Sequence, residues 1–320
     1  LNKKAWGFLK FIAPLLLGAF FIAYSFSNTT VEDRKNILQA IQSADYRFVG
    51  LSVLIGIASH LSRAYRWKLM LLPVGHNISF INSILLVLIT YLSNLGIPRS
   101  GEFLRATALR TYEKVPFEKG FGTIVTERVI DVLFLVAFLL IGGMLNTELL
   151  TSYSPNSSAI VLVLLLAAIG ITGFVVIRKK GFASSNKWIQ KIAAFFKGLA
   201  EGILSVNKIP NKQVFIIHSI LIWVFYLLMF DVIKYSIPET ADLSLSQTLL
   251  AFIAGAVAMS TTNGGIGVFP IAVSAVLMNF GVPLEAALAF GWLMWTSQTL
   301  MVVVFGSISF LLLPVVNRNN

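Results

Sequence analysis

Asn94-Leu-Gly-Ile-Pro-Arg-Ser-Gly-Glu-Phe-Leu-Arg105 breaks the hydrophobic pattern of the chain and decides how it folds. The apolar run ahead of it, Phe80 to Leu92, is shorter than the roughly 20 residues a helix needs to cross a bilayer. Asn94 and Gly96 end the run, and Pro98 cannot continue a helix because it lacks the N–H and clashes with the preceding turn. Gly101 follows, and Arg99, Glu102 and Arg105 arrive before the chain has crossed. A second stretch, Ser260-Thr-Thr-Asn-Gly-Gly-Ile-Gly-Val-Phe-Pro270, interrupts another apolar run in the same way. Paired Gly/Pro-broken hydrophobic segments point to a transporter-type site near the membrane midplane.

The surrounding composition is that of a polytopic membrane protein. Of 320 residues, 57% are hydrophobic and 12% charged, and a soluble domain carries about 25% charged residues. Mean hydropathy is +0.82. The net charge of +11 fits cytoplasmic-loop bias and anionic lipids, so no nucleic-acid partner is expected. There are no cysteines, which excludes disulfides, thiolate metal sites and Cys nucleophiles. His60, His76 and His218 lie far apart without metal-ligand spacing, so no metal is expected. No P-loop, dinucleotide fingerprint or nucleophile elbow is present, and no cofactor is expected. Gly264-Gly265-Ile-Gly267 lacks the Lys-Ser/Thr of a phosphate loop.

Working outward, Phe8 to Phe26 reads as a retained first helix flanked by Lys3, Lys4 and Lys10, with no clear cleavage site after it. A polar loop with a short helix around Val31 to Gln42 follows. Long helices are expected over about 48–71, 118–145, 159–177, 214–235 and 284–313, with interrupted segments over about 80–112 and 246–280. The polar loop 146–157 separates two of the spans. Trp188, Ile192, Phe195, Phe196 and Leu199 recur at helical spacing between lysines, which predicts an amphipathic surface helix within a cytoplasmic connector, 178–211. A plain basic linker is the alternative.

A shift of 167 residues aligns the halves, about 45–145 and 212–312, without gaps. Phe48 falls on Phe215, Ser52 on Ser219, Ser93 on Ser260, and Val115-Pro-Phe-Glu118 on Val282-Pro-Leu-Glu285. If both interrupted segments are re-entrant and the N-terminus is cytoplasmic, 21 of the 25 Lys+Arg lie inside and only Arg34, Lys35, Arg47 and Lys234 outside. The expected fold is therefore a single all-α integral membrane domain. It has six full transmembrane helices, two re-entrant hairpins, an inverted repeat and both termini cytoplasmic. Eight full spans are the alternative, and they place the charges of 99–110 outside, against the rule.

A charge near the bilayer centre costs about 2.5–3.5 kcal/mol on insertion scales and needs a partner or a wet cavity. Glu127 and Asp131 share a helical face, with Arg128 beside Glu127; Arg99, Glu102 and Arg105 share one if the returning arm is helical. Two readings follow: a hydrophilic cavity whose arginines take an anionic headgroup, or an internal ion network that pins the hairpin. For Arg63, Arg66 and Lys68 the structural alternative is stronger, as end anchors that snorkel to the interface. His60, a turn before Arg63, lines the same cavity or is simply hydrogen-bonded. The second break has no charge. Ser260, Thr261, Thr262 and Asn263 offer polar side chains and Gly264, Gly265 and Gly267 offer backbone N–H groups, with Trp292, Trp295, Ser297 and Gln298 as candidates to face them.

Arg63-x-x-Arg66-Trp67, Ile97-Pro-Arg-Ser-Gly-Glu102-x-x-Arg105, Glu127-Arg128-x-x-Asp131 and Gly264-Gly-Ile-Gly267 resemble the lysylphosphatidylglycerol synthase transmembrane, or flippase-like, family, the membrane part of the bacterial multiple peptide resistance factor. The resemblance covers about 10–315. It implies a bacterial inner-membrane protein that moves a polar lipid between leaflets, with membrane lipids, anionic or aminoacylated phospholipids, as its partners. The soluble aminoacyl-transferase domain of the fused relatives is absent from this sequence, so lipid lysylation is not expected. Many relatives carry a Glu shortly after the glycine motif, whereas Phe269-Pro270 stands here. The expected function is lipid transport, with Arg63, Arg66, Arg99, Glu102, Arg105, Glu127, Arg128 and Asp131 at the headgroup. Asn94, Gly96, Pro98 and Gly101 would form one gate and Asn263, Gly264, Gly265 and Gly267 the other. An intramembrane enzyme using Glu102 or Asp131 as general acid/base is a second class, and a membrane partner of a separate enzyme, docking at its cytoplasmic face, is a third. No feature selects an oligomeric state.

Overall fold

The computed structural model describes residues 30–145, 208–262 and 264–318, which are helical and turn structure throughout. The first helix over 8–26, the loop 146–157, the span 159–177, the amphipathic stretch 183–206 and Asn263 lie outside the described residues.

Nine α-helices follow in chain order among the described residues: α1 (Val31–Gln42), α2 (Tyr46–Leu71), α3 (Phe80–Gly96), α4 (Ser100–Glu113), α5 (Phe117–Leu145), α6 (Lys212–Ile233), α7 (Leu245–Thr261), α8 (Val268–Met278) and α9 (Leu284–Val316). With their short 3-10 extensions, α2, α5, α6 and α9 are long and apolar enough to cross a membrane. At about 1.5 Å per residue, the 17 residues of α3 and of α7 fall short of the roughly 30 Å hydrocarbon core, and α4 and α8 are shorter still. The protein is an all-α membrane protein. Its helices occur in the order long, short, short, long twice over, each starting within two residues of the 167-residue shift.

Local chemistry sets the boundaries. Thr30 and Asp33 cap α1 reciprocally. Ser79 caps α3 by accepting from the Asn82 N–H at 3.0 Å, and Ser244 with Gln247 forms a capping box on α7. At the first break Ile97 turns extended ahead of Pro98. Arg99 takes a left-handed conformation (φ 60°), and Ser100 Oγ donates to the carbonyls of Ser93 at 3.0 Å and Ile97 at 2.8 Å. At the second break Gly264, Gly265 and Gly267 all have positive φ, a conformation that glycine adopts without a Cβ penalty.

Packing interleaves the two halves. α2 lies along α6, α3 packs on α4 and on α9, and α7 packs on α8 and on α5. In lipid there is little hydrophobic drive between helices, so close contact over small residues supplies the attraction. At Gly306 the α9 backbone lies against Leu92 and the Leu88 carbonyl of α3. The two breaks meet in the interior, where a Cβ at Gly264 would stand 3.0 Å from Leu95 Cδ2. One apolar cluster gathers Phe230, Phe252, Phe269 and Phe290 in the second half; another gathers Trp67, Leu86, Leu109 and Ile124 in the first.

Candidate functional site

Five helices converge on a buried ion cluster. α2 contributes Arg63 and Arg66, α4 contributes Glu102 and Arg105, and α5 contributes Glu127, Arg128 and Asp131; α3 and α6 add Tyr91 and Tyr226. The spacing explains the convergence, since residues three and four apart share a helical face.

Glu127 and Asp131 are the hubs. Arg63 Nη1 donates to Glu127 Oε1 at 2.7 Å and to Asp131 Oδ2 at 2.6 Å, and Arg66 Nη2 donates to Asp131 Oδ1 at 2.9 Å. Arg105 Nη1 lies 3.1 Å from Glu127 Oε2. Arg128 is held more loosely, 3.5 Å from Glu102, 3.7 Å from Glu127 and 3.6 Å from Asp131. Arg63 Nη2 also donates to the Tyr226 hydroxyl at 3.2 Å, and that hydroxyl lies 3.3 Å from Tyr91 Oη. The Arg105 guanidinium sits 3.6 Å from the Trp67 ring centroid, while Trp67 Nε1 donates to Thr123 Oγ1 at 3.0 Å.

Access is graded. Arg63, Arg66, Arg105 and Glu127 are sealed, whereas the Arg128 side chain is 36% exposed, with Glu102 and Asp131 partly so. The mouth is therefore at Arg128 and Glu102. Inside, Arg66 Nε and Nη1 and Arg105 Nε and Nη2 have no hydrogen-bond partner. Four arginines face three carboxylates, one positive charge in excess. Buried donors without acceptors cost free energy that a bound anion or water recovers.

Several sequence expectations need correction. Arg63 and Arg66 do not snorkel: both side chains are sealed inside the protein on carboxylates of α5. Arg99 is not brought to the cluster. The helix begins at Ser100, so Arg99 sits outside it in a left-handed turn, exposed. Ser260, Thr261 and Thr262 turn their hydroxyls back onto the carbonyls of Ala256, Val257 and Ala258 in their own helix. Of the residues expected to face the second break, Trp295 does, its Nε1 donating to the Gly264 carbonyl at 2.7 Å. Trp292 packs edge-on against Trp295, and Ser297 bonds within its helix to the Met294 carbonyl. Gln298 instead reaches α2, where its Nε2 donates to Ser52 Oγ at 3.1 Å. Asn94 ties the first break together, its Oδ1 accepting from the Gly101 N–H at 2.8 Å and its Nδ2 lying 3.4 Å from Glu102 Oε1. Gly96 has open space around it, and Pro98 is exposed at the turn. His60 is buried against the Tyr91 ring, with Nδ1 unpartnered. Trp67 stands beside Arg66 in the Arg63-x-x-Arg66-Trp67 motif, whereas Tyr91, Tyr226 and Thr123 have no arginine within one turn in sequence and only the fold brings them to the cluster.

Comparison with known proteins gives three relatives. A UPF0104 membrane protein of Pyrococcus horikoshii is 26% identical over 281 residues, covering 79% of this chain and 82% of that protein. One of Methanothermobacter thermautotrophicus is 27% identical over 194 residues, 57% of this chain and 53% of that protein. One of Methanocaldococcus jannaschii is 28% identical over 124 residues, 36% and 37% of the two. No solved structure matches the chain. The family model described as the lysylphosphatidylglycerol synthase TM region matches residues 11–306, which include every residue of the ion cluster, and the chain belongs to that family.

Proposed function

We propose that the protein moves a polar lipid headgroup across the membrane past the ion cluster of α2, α4 and α5. In this reading α3–α4 and α7–α8 are re-entrant hairpins whose tips meet near Leu95 and Gly264, the halves are inverted repeats, and both termini are cytoplasmic in a bacterial inner membrane. Arg63 lies eight residues before the end of α2, about 12 Å from its cytoplasmic end, a depth that suits a headgroup in transit.

The observation that carries the reading is the set of sealed arginine N–H groups without acceptors on Arg66 and Arg105, behind a half-open mouth at Arg128. A network that served only to pin the hairpin would be expected to satisfy its own donors. The same ion pairs join α2, α4 and α5, so anchoring and binding coexist. The enzyme alternative is weaker because Asp131 is held by two arginines, which leaves it unpoised to exchange a proton, and Glu102 has Arg128 and Asn94 beside it, neither of them a nucleophile.

The test is reconstitution of the purified protein into liposomes with fluorescent anionic, zwitterionic and lysyl-headgroup lipids, scoring movement between leaflets. Movement that is lost in a monodisperse Arg105→Ala variant supports transport at this cluster. Movement unchanged in that variant, or absent from folded wild-type protein, sinks it.

A further inference from the structure

We infer that the cluster selects its lipid by charge: a phosphate of net negative headgroup seats on Arg66, Arg105 and Arg128, displacing Glu102 from Arg128. This rests on the headgroup reading above and adds to it the sign of the substrate and the residue that guards the seat.

Charge balance gives the sign. With four arginines against three carboxylates, the cluster carries one uncompensated positive charge, and only Arg128 among the arginines is open to water. A phosphodiester supplies the missing negative charge and brings acceptor oxygens that match the guanidinium fork. The free donors mark the seat, because Arg66 Nε and Nη1 and Arg105 Nε and Nη2 are sealed in the protein without partners. The Arg105 guanidinium carbon lies 3.6 Å from the Trp67 ring centroid, so its fork is already restrained and little freedom is lost when an anion binds.

Glu102 differs from the other two carboxylates. Glu127 and Asp131 accept at 2.6–2.9 Å. Glu102 meets Arg128 at 3.5 Å and Asn94 at 3.4 Å, and its Oε2 has no partner. It occupies the mouth beside the most exposed arginine of the cluster. A carboxylate held this loosely is the one an incoming phosphate displaces. Its other neighbour, Asn94, holds the Gly101 N–H at the hairpin break, so displacement is felt directly at the tip.

The mouth also indicates the source of the phosphate. Phe103, next to Glu102, is 60% exposed; Phe121 lies 5.1 Å from it, and Phe117 stacks on Phe121. An apolar lip beside a charged mouth suits an anion that carries acyl chains rather than free phosphate.

Glu102→Gln tests the inference by its sign. If the headgroup is anionic, Glu102 competes with it and its removal tightens binding. If the headgroup is cationic, Glu102 is a ligand and its removal weakens binding. Dissociation constants would be measured on the full chain in uncharged detergent, from the rise of the thermal midpoint with short-chain phosphatidylglycerol, phosphatidylcholine, lysylphosphatidylglycerol and inorganic phosphate. The expected result is tightest binding of phosphatidylglycerol, about tenfold tighter in Glu102→Gln and about tenfold weaker in Arg128→Gln, the order of effect of one charge at contact distance in a setting largely open to water. Preference for the lysyl lipid with weakening in Glu102→Gln, or equal binding of all three lipids, overturns it. Inorganic phosphate binding as tightly as phosphatidylglycerol overturns the lipid assignment. Phosphatidylglycerol binding without translocation in liposomes would leave this selectivity standing and remove the transport reading; translocation without charge preference would do the reverse.

Discussion

The Arg105 guanidinium lies 3.6 Å from the centroid of the Trp67 ring while its Nη1 reaches to 3.1 Å from Glu127 Oε2. Trp67 thus fixes the plane of one arginine and Glu127 fixes its reach. Trp67 is in turn held by the bond from its Nε1 to Thr123 Oγ1, whose own proton goes to the Gly120 carbonyl at 2.7 Å. Trp67→Phe keeps the aromatic face and loses the Nε1 bond, so a loss of about 1 kcal/mol is expected. Trp67→Leu also loses the desolvated cation–π contact, itself worth about 2 kcal/mol, and leaves Arg105 unaligned. Thermal midpoints should fall in that order, and only the leucine variant should lose headgroup binding. Equal binding by both would show that the ring does not orient Arg105.

Glu127 takes Arg63 from one side and Arg105 from the other, fully sealed. Removing one partner of a buried pair strands the other charge, at a cost of about 3–5 kcal/mol. Glu127→Gln should therefore lower the thermal midpoint sharply. Glu127→Gln combined with Arg105→Gln should cost clearly less than the two single losses added, because the double variant restores the wild-type charge balance of the cluster. Strict additivity would mean that the two groups do not interact.

Much of this architecture was legible in the chain. The helix at Val31–Gln42, the long helices expected over 48–71, 118–145, 214–235 and 284–313, and both interruptions follow from hydropathy, proline and glycine, and they appear within a few residues of expectation. Arg63 and Arg66 were harder. Taken alone, an arginine eight residues from a helix end reads as an interface anchor, and only the fold shows Glu127 and Asp131 opposite it. Spacing puts Arg99 on the face of Glu102 and Arg105 only if the helix contains it, and the turn that Pro98 imposes delays the first helical residue to Ser100. Tyr91 and Tyr226 were overlooked because they sit at apolar positions of apolar helices, where a ring is indistinguishable from core until an arginine is found beside it.

At the first break, Gly101 packs against the backbone of Thr90, where a Cβ would collide with the Thr90 carbonyl. Backbone cannot rotate aside as a side chain can. Gly101→Ala should therefore part α3 from α4, lower the midpoint by the equivalent of about 2 kcal/mol or more, and loosen the Asn94 bond to the same residue. Gly122, inside α5, has open space where its Cβ would stand. Gly122→Ala should be neutral or stabilising by up to about 1 kcal/mol, from helix propensity. Similar midpoints for the two variants would contradict the tight approach at Gly101.

Outside the membrane, Asp33 caps α1 by accepting from the Thr30 N–H at 2.7 Å. That backbone bond first, and the Thr30 side chain second, hold its carboxyl below the ordinary value of 3.8. A depressed carboxyl pKa contributes stability above the unfolded value, and the contribution fades as pH falls through the folded one. Protection factors of the α1 amides, which divide out the intrinsic pH dependence of exchange, should thus fall between pH 5 and pH 3, pH values chosen to straddle the carboxylate range of about 4. Asp33→Ala should show low protection across the whole interval; a wild-type protection factor that is flat with pH would show that the capping box contributes little.

The 167-residue shift pairs Arg63 with Phe230, Glu102 with Phe269, Glu127 with Met294 and Asp131 with Gln298. The charged cluster of the first half therefore corresponds to packed aromatics in the second, where Phe230 and Phe269 meet edge to face at 6.5 Å. Gln298 is the polar remnant. Its Nε2 donates to Ser52 Oγ, Ser52 Oγ donates to the Met229 carbonyl at 2.7 Å, and Gln298 Oε1 is buried without a partner beside Gly56. An unsatisfied buried oxygen costs about 1–3 kcal/mol, so stability alone would favour an apolar residue there. Gln298→Met, close in volume, should raise the thermal midpoint. If that oxygen serves a headgroup leaving the arginine cluster toward the opposite side, the same variant should slow translocation while leaving phosphatidylglycerol affinity at the arginines unchanged. A stabilised variant that transports at the wild-type rate would confine the route to the first half and leave Gln298 with a structural role only.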